Sequence, residues 1–333
     1  MLNQAVIPFS DTTSNSQSIR ADTLQPRVTY VISCHNHERY IESCVLSVLE
    51  QNYHNIELLC FDDGSRDRSA SILRRLANDY GFFFKQTENR GFTATLNEAL
   101  SLATGEFFCV LGSDDLALPG KTLRQASYLA THPESVGCTG AAQIIDENSH
   151  LVDKQPPAAE ADFGFSDFFT GRGLPFVASS AMYRTRALRM IGGYNESIRL
   201  EDLYLALKLT EQGDTLHNLS EPLVKFRSHR KNTSKKLAYM YNAILETLAN
   251  YESHPDYRRV VSSYSKRFYR RAMRTGDSTL AQAAFRNIRK CDFDLKLLRR
   301  MLKHWIFAKS ANNESGRDRT TNASNRRPQN SRL

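Results

Sequence analysis

Between Val28 and Asp115, short apolar runs alternate with helix-patterned segments four times, and this rhythm constrains the fold of the 333-residue chain most. Val28 to Ser33 reads as a strand, and Ile41, Cys44, Val45, Val48 and Leu49 then recur at helical spacing. Ile56 to Phe61 is a second strand, ending in Asp62-Asp63-Gly64-Ser65. Residues 69–80 are helical, with Ile72, Leu73, Leu76, Ala77 and Tyr80 on one side and Gly81 as the stop. Phe82 to Lys85 makes a third strand, Asn89-Arg90-Gly91 a turn, and Phe92, Leu96, Ala99, Leu100 and Ala103 the next apolar helix face. The run Glu106 to Leu111 is the fourth strand. Strand and helix in this order make βαβ units, so an α/β fold is expected: a Rossmann-like, mostly parallel sheet with helices on both faces.

The fourth strand closes in Gly112-Ser113-Asp114-Asp115. In open α/β sheets the carboxyl ends of the strands face the ligand crevice. Two adjacent carboxylates there repel one another unless a cation or a cationic ligand lies between them. Hard oxygen donors beside substrate phosphates favour Mg²⁺ or Mn²⁺.

Downstream, residues 119–132 read as a helix, 136–145 as a strand, 153–175 as an irregular loop over the site and 176–183 as a strand. A short helix spans 184–191 and another 203–212, each ended by glycine. Beyond Thr233 the pattern is helical almost to Lys309, a helical C-terminal arm, and 310–333 is polar and Asn/Arg-rich. The expected organisation is a flexible leader at 1–26, an α/β domain at 27–235, a helical basic region at 236–309 and a disordered tail at 310–333. The leader has no apolar signal core, and no run is long enough to span a bilayer, which points to a cytoplasmic protein. Six cysteines without a CxxC pair read as buried, reduced thiols.

Charge is unevenly placed. Residues 1–170 carry 12 Lys/Arg against 22 Asp/Glu, whereas 171–333 carry 32 against 14, with all of that excess beyond Glu221. A basic tail on a neutral-to-acidic body suits polyanions, anionic lipid or phosphorylated ligands. In the last helix Leu298, Met301, Leu302, Trp305 and Ile306 share one face, ringed by Lys296, Arg299, Arg300 and Lys303. Such a helix can lie peripherally on the anionic inner face of a membrane, or pack on protein, including a second subunit.

Six stretches in order resemble the family 2 glycosyltransferases of the GT-A fold over roughly residues 27–235: Val31 to Asn36 with Ser47 and Gln51; Phe61-Asp62-Asp63-Gly64-Ser65 with Asp67; Asn89-Arg90-Gly91 with Asn97 and Gly105; Ser113-Asp114-Asp115; Gly192 to Glu196 with Leu200 to Leu203; and Phe226 to Ser234. Cys34 stands where the family usually has Pro, and Thr95-Leu96 where it often has an Arg. The resemblance implies that Ser33 and His35 contact the nucleotide base. It places base recognition at Asp62-Asp63, with Asp63 preferred, and leaves Arg90 as a substitute for the missing Arg. Asp115 would hold the divalent cation, Asp114 the ribose or the metal's waters, and His229 the metal or diphosphate. Asp202 would be the general base and Glu201 its support or an acceptor contact.

The activity implied by the resemblance is that of an inverting transferase dependent on Mn²⁺ or Mg²⁺. It would move single sugars from a nucleotide sugar, a UDP-sugar by preference, to a saccharide or lipid-linked acceptor in surface glycan assembly. There is no Gln-x-x-Arg-Trp motif, which argues against a processive synthase. Two rivals have less support. A sugar-nucleotide nucleotidyltransferase needs a Gly-rich, Arg/Lys-bearing loop after the first strand, and Ser-Cys-His-Asn-His-Glu is not one. A basic RNA- or membrane-binding protein would need aromatic-basic motifs of its own, and no nucleic-acid partner is expected.

Overall fold

The computed structural model describes residues 25–153, 159–171, 177–229 and 232–294. The helix read around Leu298 to Ile306, the tail at 310–333 and nearly all of the leader lie outside the described residues. The chain forms two compact units, Met1–Asn232 and Thr233–Leu333.

The first unit begins with β1 (Val28–Cys34), α1 (Ile41–Leu49), β2 (Ile56–Asp63), α2 (Ser69–Tyr80), β3 (Phe83–Thr87), α3 (Phe92–Leu102) and β4 (Phe107–Val110). It continues with β5 (Leu116–Ala117), α4 (Lys121–Thr131), β6 (Ser135–Ile145), β7 (Leu151–Asp153), β8 (Ala161–Phe163) and α5 (Phe165–Thr170). Last come β9 (Met182–Arg184), α6 (Thr185–Met190), α7 (Glu201–Thr210) and β10 (Thr215–Arg227). Every position of β1 is buried, which is why its sequence shows no polar alternation. Tyr30 and Ile32 of β1 meet Val45 and Val48 of α1, Leu73 of α2, Phe107 of β4 and Leu129 of α4 in one continuous core.

The described strands form one mixed sheet in the order β3-β2-β1-β4-β9-β6-β10-β5, with β7 on β6 and β8 on β10. Pairing is parallel from β3 through β4 and again between β6 and β10. The three-residue β9 runs against both β4 and β6. Because one reversed strand separates the two parallel blocks, β1, β2, β3, β4, β6 and β10 all point the same way.

Several readings change. Residues 177–183 are not one strand: Ala178–Ser180 is a 3₁₀ turn, and strand pairing begins only at Met182, in β9. The Ser180 hydroxyl donates to Val177 O and Gly140 O, which fixes the turn. The segment 153–175 is not wholly irregular, since it contains β8 and α5. Its Phe168 and Phe169 are core residues that pack α5 against α7. The 13-residue β10 has no clear period in the sequence, because Pro222 and register shifts on either side of it break the alternation. Helix α7 starts at Glu201, two residues before the expected start.

One buried charge stands apart from the site. Lys121 is 1% exposed. Its Nζ lies 3.4 Å from Tyr30 Oη and 5.1 Å from the centre of that ring. No described carboxylate is within ion-pair distance. A cation without a counter-charge pays desolvation that a hydroxyl and a ring only partly offset. Lys121→Met is therefore expected to stabilise the protein by about 1–3 kcal/mol. A urea midpoint below that of the wild type would refute this.

The second unit, among its described residues, is helical: α8 (Leu237–Ala249), α9 (Tyr257–Thr275) and α10 (Ser278–Arg286). Tyr241 of α8 packs against Phe268 of α9 with ring centres 5.3 Å apart, and its hydroxyl lies 2.9 Å from Ser265 Oγ. Asp277 caps α10 by accepting from Leu280 N at 2.9 Å. Among the described residues no helix is long and apolar enough to cross a membrane.

Candidate active site

Like-directed strands bring their carboxyl ends to one edge of the sheet. That edge collects His35 after β1, Asp62 and Asp63 at the end of β2, Ser113 to Asp115 after β4, Asp146 after β6, and Arg227 to His229 at the end of β10. A cleft of about 640 Å³ lined by Leu49, Ile56, Tyr80, Phe83 and Leu102 opens elsewhere, by the amino ends of β2 and β3, away from these groups.

The loops after β1 and β2 are stitched together. Asn36 N donates to Ser65 Oγ at 2.9 Å, and Arg66 N to Asn36 Oδ1 at 2.8 Å. His35 Nδ1 lies 2.8 Å from Asp63 O. Ser33 is nearly buried at the end of β1. The Asp63 carboxylate accepts from Arg90 N at 2.8 Å and Gly91 N at 3.0 Å, bracing the turn that opens α3. Asp62 Oδ1 accepts from Ser65 N at 3.0 Å, while its buried Oδ2 has no hydrogen-bond partner. Arg90, read as the substitute for the missing Arg, has its guanidinium held by Glu98 of α3, and Lys85 binds the same carboxylate.

Asp114 and His229 come together although far apart in the chain. Asp114 Oδ2 lies 2.9 Å from His229 Nε2. His37, for which no role was read from the sequence, joins them: one donor atom from each of His37, Asp114 and His229 lies within 4.8 Å of the others. All three are half-buried. Such a carboxylate and imidazole set fits a divalent cation.

Asp115 sits behind this group. It is 2% exposed; Oδ2 accepts from Ser179 Oγ at 2.5 Å and Oδ1 from Arg227 N at 2.8 Å. Burial, then the neighbouring Asp114 charge, push its carboxyl up to about 7. In this geometry Asp114, not Asp115, faces the two imidazoles, the reverse of what the resemblance implied. Gly112 allows the packing, since a Cβ there would come 2.8 Å from Asp115 Oδ2 and 3.3 Å from Asp114 Oδ1.

Arg227, at the end of β10, fastens the loop. Its Nε donates to Asp114 O at 2.7 Å, and one Nη donates to Asp146 O and Ser149 Oγ, both at 2.9 Å. Its guanidinium also stacks 4.4 Å from the Tyr40 ring centre. The sequence showed a basic segment suited to phosphates; here its first arginine is buried and structural.

The third expected group lies at the start of α7. Glu201 and Asp202 keep some accessible surface although protein atoms crowd their carboxyls. Burial and then the charge of Asp202 push Glu201 up to about 8; burial likewise raises Asp202, whose Oδ1 accepts from Leu203 N at 2.6 Å. Buried Tyr183 and Tyr194 stand beside the pair. Asn97 sets the loop leading there: its Nδ2 donates to Tyr194 O at 2.9 Å, and its Oδ1 accepts from Tyr194 N at 2.8 Å. Gly193, at φ 76°, lies so close to Asn97 that a Cβ would approach its Oδ1 to 2.8 Å.

The comparisons agree with this architecture. Residues 29–192 match the family described as Glycosyl transferase family 2. EpsE of Bacillus subtilis, named as a glycosyltransferase, is 29% identical over 233 residues, which cover 66% of this chain and 80% of EpsE. The amylovoran biosynthesis glycosyltransferase AmsE of Erwinia amylovora is 28% identical over 216 residues, covering 63% of this chain and 80% of AmsE. Among solved structures, S. aureus TarS 1–349 in complex with UDP-GlcNAc has a TM-score of 0.57 at 17% identity, covering 74% of this chain and 72% of TarS 1–349. The mannosyltransferase PcManGT from Pyrobaculum calidifontis, in complex with GDP-Man and Mn²⁺, has a TM-score of 0.58 at 18% identity, covering 86% of this chain and 81% of that one. With the GT-A-like sheet and the family match, this chain carries a family 2 glycosyltransferase domain at residues 29–192.

Proposed function

We propose that the protein transfers a single sugar from a nucleotide sugar, by first choice a UDP-sugar, to a saccharide or lipid-linked acceptor, with inversion and with a divalent cation. The observation that carries this is the contact between Asp114 and His229 at the ligand-facing edge of a family 2 glycosyltransferase sheet. Their carboxylate and imidazole would hold the cation, which when bound supplies positive charge to the diphosphate leaving group. The cation matters more here than usual, because the family's Arg is missing at Thr95 and Arg90 is engaged by Glu98. Asp63 and His35 border the base subsite, with Ser33 at its floor.

Asp202 would take the proton of the acceptor hydroxyl as that oxygen attacks the anomeric carbon, with Glu201 beside it as its support or an acceptor contact. One base facing one leaving group makes a single displacement, hence inversion. AmsE is named for amylovoran biosynthesis, and TarS and PcManGT are complexed with UDP-GlcNAc and GDP-Man; these support a glycan-building role and a nucleotide-sugar donor.

The test is a melting-temperature screen of the full chain against UDP- and GDP-sugars, with Mn²⁺ and with EDTA, followed by assay of nucleoside diphosphate release. At least one donor is expected to raise the melting temperature by several degrees with Mn²⁺ and not with EDTA. Undiminished turnover in EDTA, or no response to any donor, would overturn the reading.

A further inference from the structure

We propose that His37 is a third protein ligand of the cation and sets its identity, selecting Mn²⁺ and the later first-row metals over Mg²⁺. This rests on the reading of Asp114 and His229 as metal ligands and goes beyond it, because a carboxylate with a single imidazole would leave the choice open.

Three observations support the third ligand. A donor atom of His37 lies within 4.8 Å of those of Asp114 and His229, and its ring meets that of His229 edge-on at 6.2 Å and 80°. The ring is also held from behind: Nδ1 lies 2.8 Å from Ser113 Oγ, and the backbone N–H donates to Ser69 Oγ at 3.0 Å. A partner on one ring nitrogen is how ligating imidazoles are usually oriented, leaving the other nitrogen for the metal. Finally, Asp115, which would have supplied a second carboxylate, is turned to Ser179 and the Arg227 N–H. The donors gathered here are therefore two nitrogens and one oxygen.

Two imidazoles and a carboxylate leave other positions open, as diphosphate oxygens require. Such a set favours transition metals, whereas Mg²⁺ demands oxygen ligands and gives up water reluctantly. Affinity should then rise from Mn²⁺ to Co²⁺ in the usual order.

The experiment titrates the full chain calorimetrically with Mn²⁺, Co²⁺ and Mg²⁺ alone, in the wild type, His37→Gln and Asp114→Ala. The wild type is expected to bind Co²⁺ and Mn²⁺ at least about tenfold more tightly than Mg²⁺. His37→Gln should erase most of that preference while Mg²⁺ affinity moves less than about threefold; Asp114→Ala should weaken all three. Pulsed EPR of the Mn²⁺-loaded wild type should count two coordinated nitrogens, so the proposal does not depend on the variant folding. Unaltered selectivity in His37→Gln, or one nitrogen in the wild type, would overturn the role of His37 and leave the Asp114–His229 reading standing. No metal binding by the wild type would overturn both.

Discussion

Asp202→Asn is expected to lower transfer by about 10³-fold while changing the donor's Kd by less than about twofold. The amide keeps the shape of the carboxylate and can still accept from Leu203 N, but it cannot take a proton. Loss of donor binding in this variant would mean that Asp202 shapes the donor site, and the assignment of the base would fall. The wild type's pH profile should carry the same signature. Because the base works deprotonated, the rate should rise with pH through the titration of the Glu201–Asp202 pair, well above the ordinary carboxylate range. Glu201 is pushed up to about 8. Two carboxyls this close titrate together, so the profile reports the pair rather than either residue. The folded state holds these protons more tightly than the unfolded chain, so this pair's contribution to stability falls as pH rises from the ordinary carboxylate range toward 8. Glu201→Gln removes the group pushed up to about 8 and leaves one carboxyl to titrate, so a step in the rate profile near 8 should vanish.

Asp114→Ala should weaken donor binding in Mn²⁺ by about 10²-fold or more and leave the much weaker binding in EDTA unchanged. The contrast is Asp115→Asn. That residue's oxygens are committed to Ser179 and to the Arg227 N–H, so the isosteric amide is expected to keep Mn²⁺ affinity within about threefold. It would also abolish a titration displaced to about 7, which flattens the dependence of stability on pH in that region. Calorimetry on the two variants decides between the carboxylates. Retained Mn²⁺ binding in Asp114→Ala with loss in Asp115→Asn would assign the metal to Asp115, as the family resemblance first implied.

The parallel half of the sheet was legible because its strands and helices bury regular faces. Residues 69–80 could be bounded to the residue, since apolar spacing and a glycine stop both act locally, and Gly81 does adopt φ 75°. Strand β10 was not legible for the opposite reason: its bulges around Pro222 answer to β6, eighty residues earlier in the chain, and leave no local period. The phenylalanines of 153–175 show the same limit, because their burial depends on where α7 lies. At the site, residue types could be read but not partners. That Asp114 and Asp115 are unequal was implied by the resemblance. Which of them meets His229 depends on Ser179 and Arg227, whose hydrogen bonds cross gaps that no motif spans. His37 was within reach as a second imidazole two positions after His35, in a loop already assigned to the nucleotide.

Strand β10 also has a consequence for when the enzyme comes into being during synthesis. The contacts that set Asp115, Asp114 O and the Asp114 carboxylate come from Arg227 and His229, which lie 112, 113 and 115 positions away in the chain. Until that strand is made and inserted beside β6, the turn at 112–115 holds two neighbouring carboxylates with none of these partners. A nascent chain can build the parallel half early from near-neighbour contacts, but catalytic competence waits for an association of high contact order. The near-neighbour contacts of β1 to β4 can thus form well before the contacts that set the turn at 112–115 are complete.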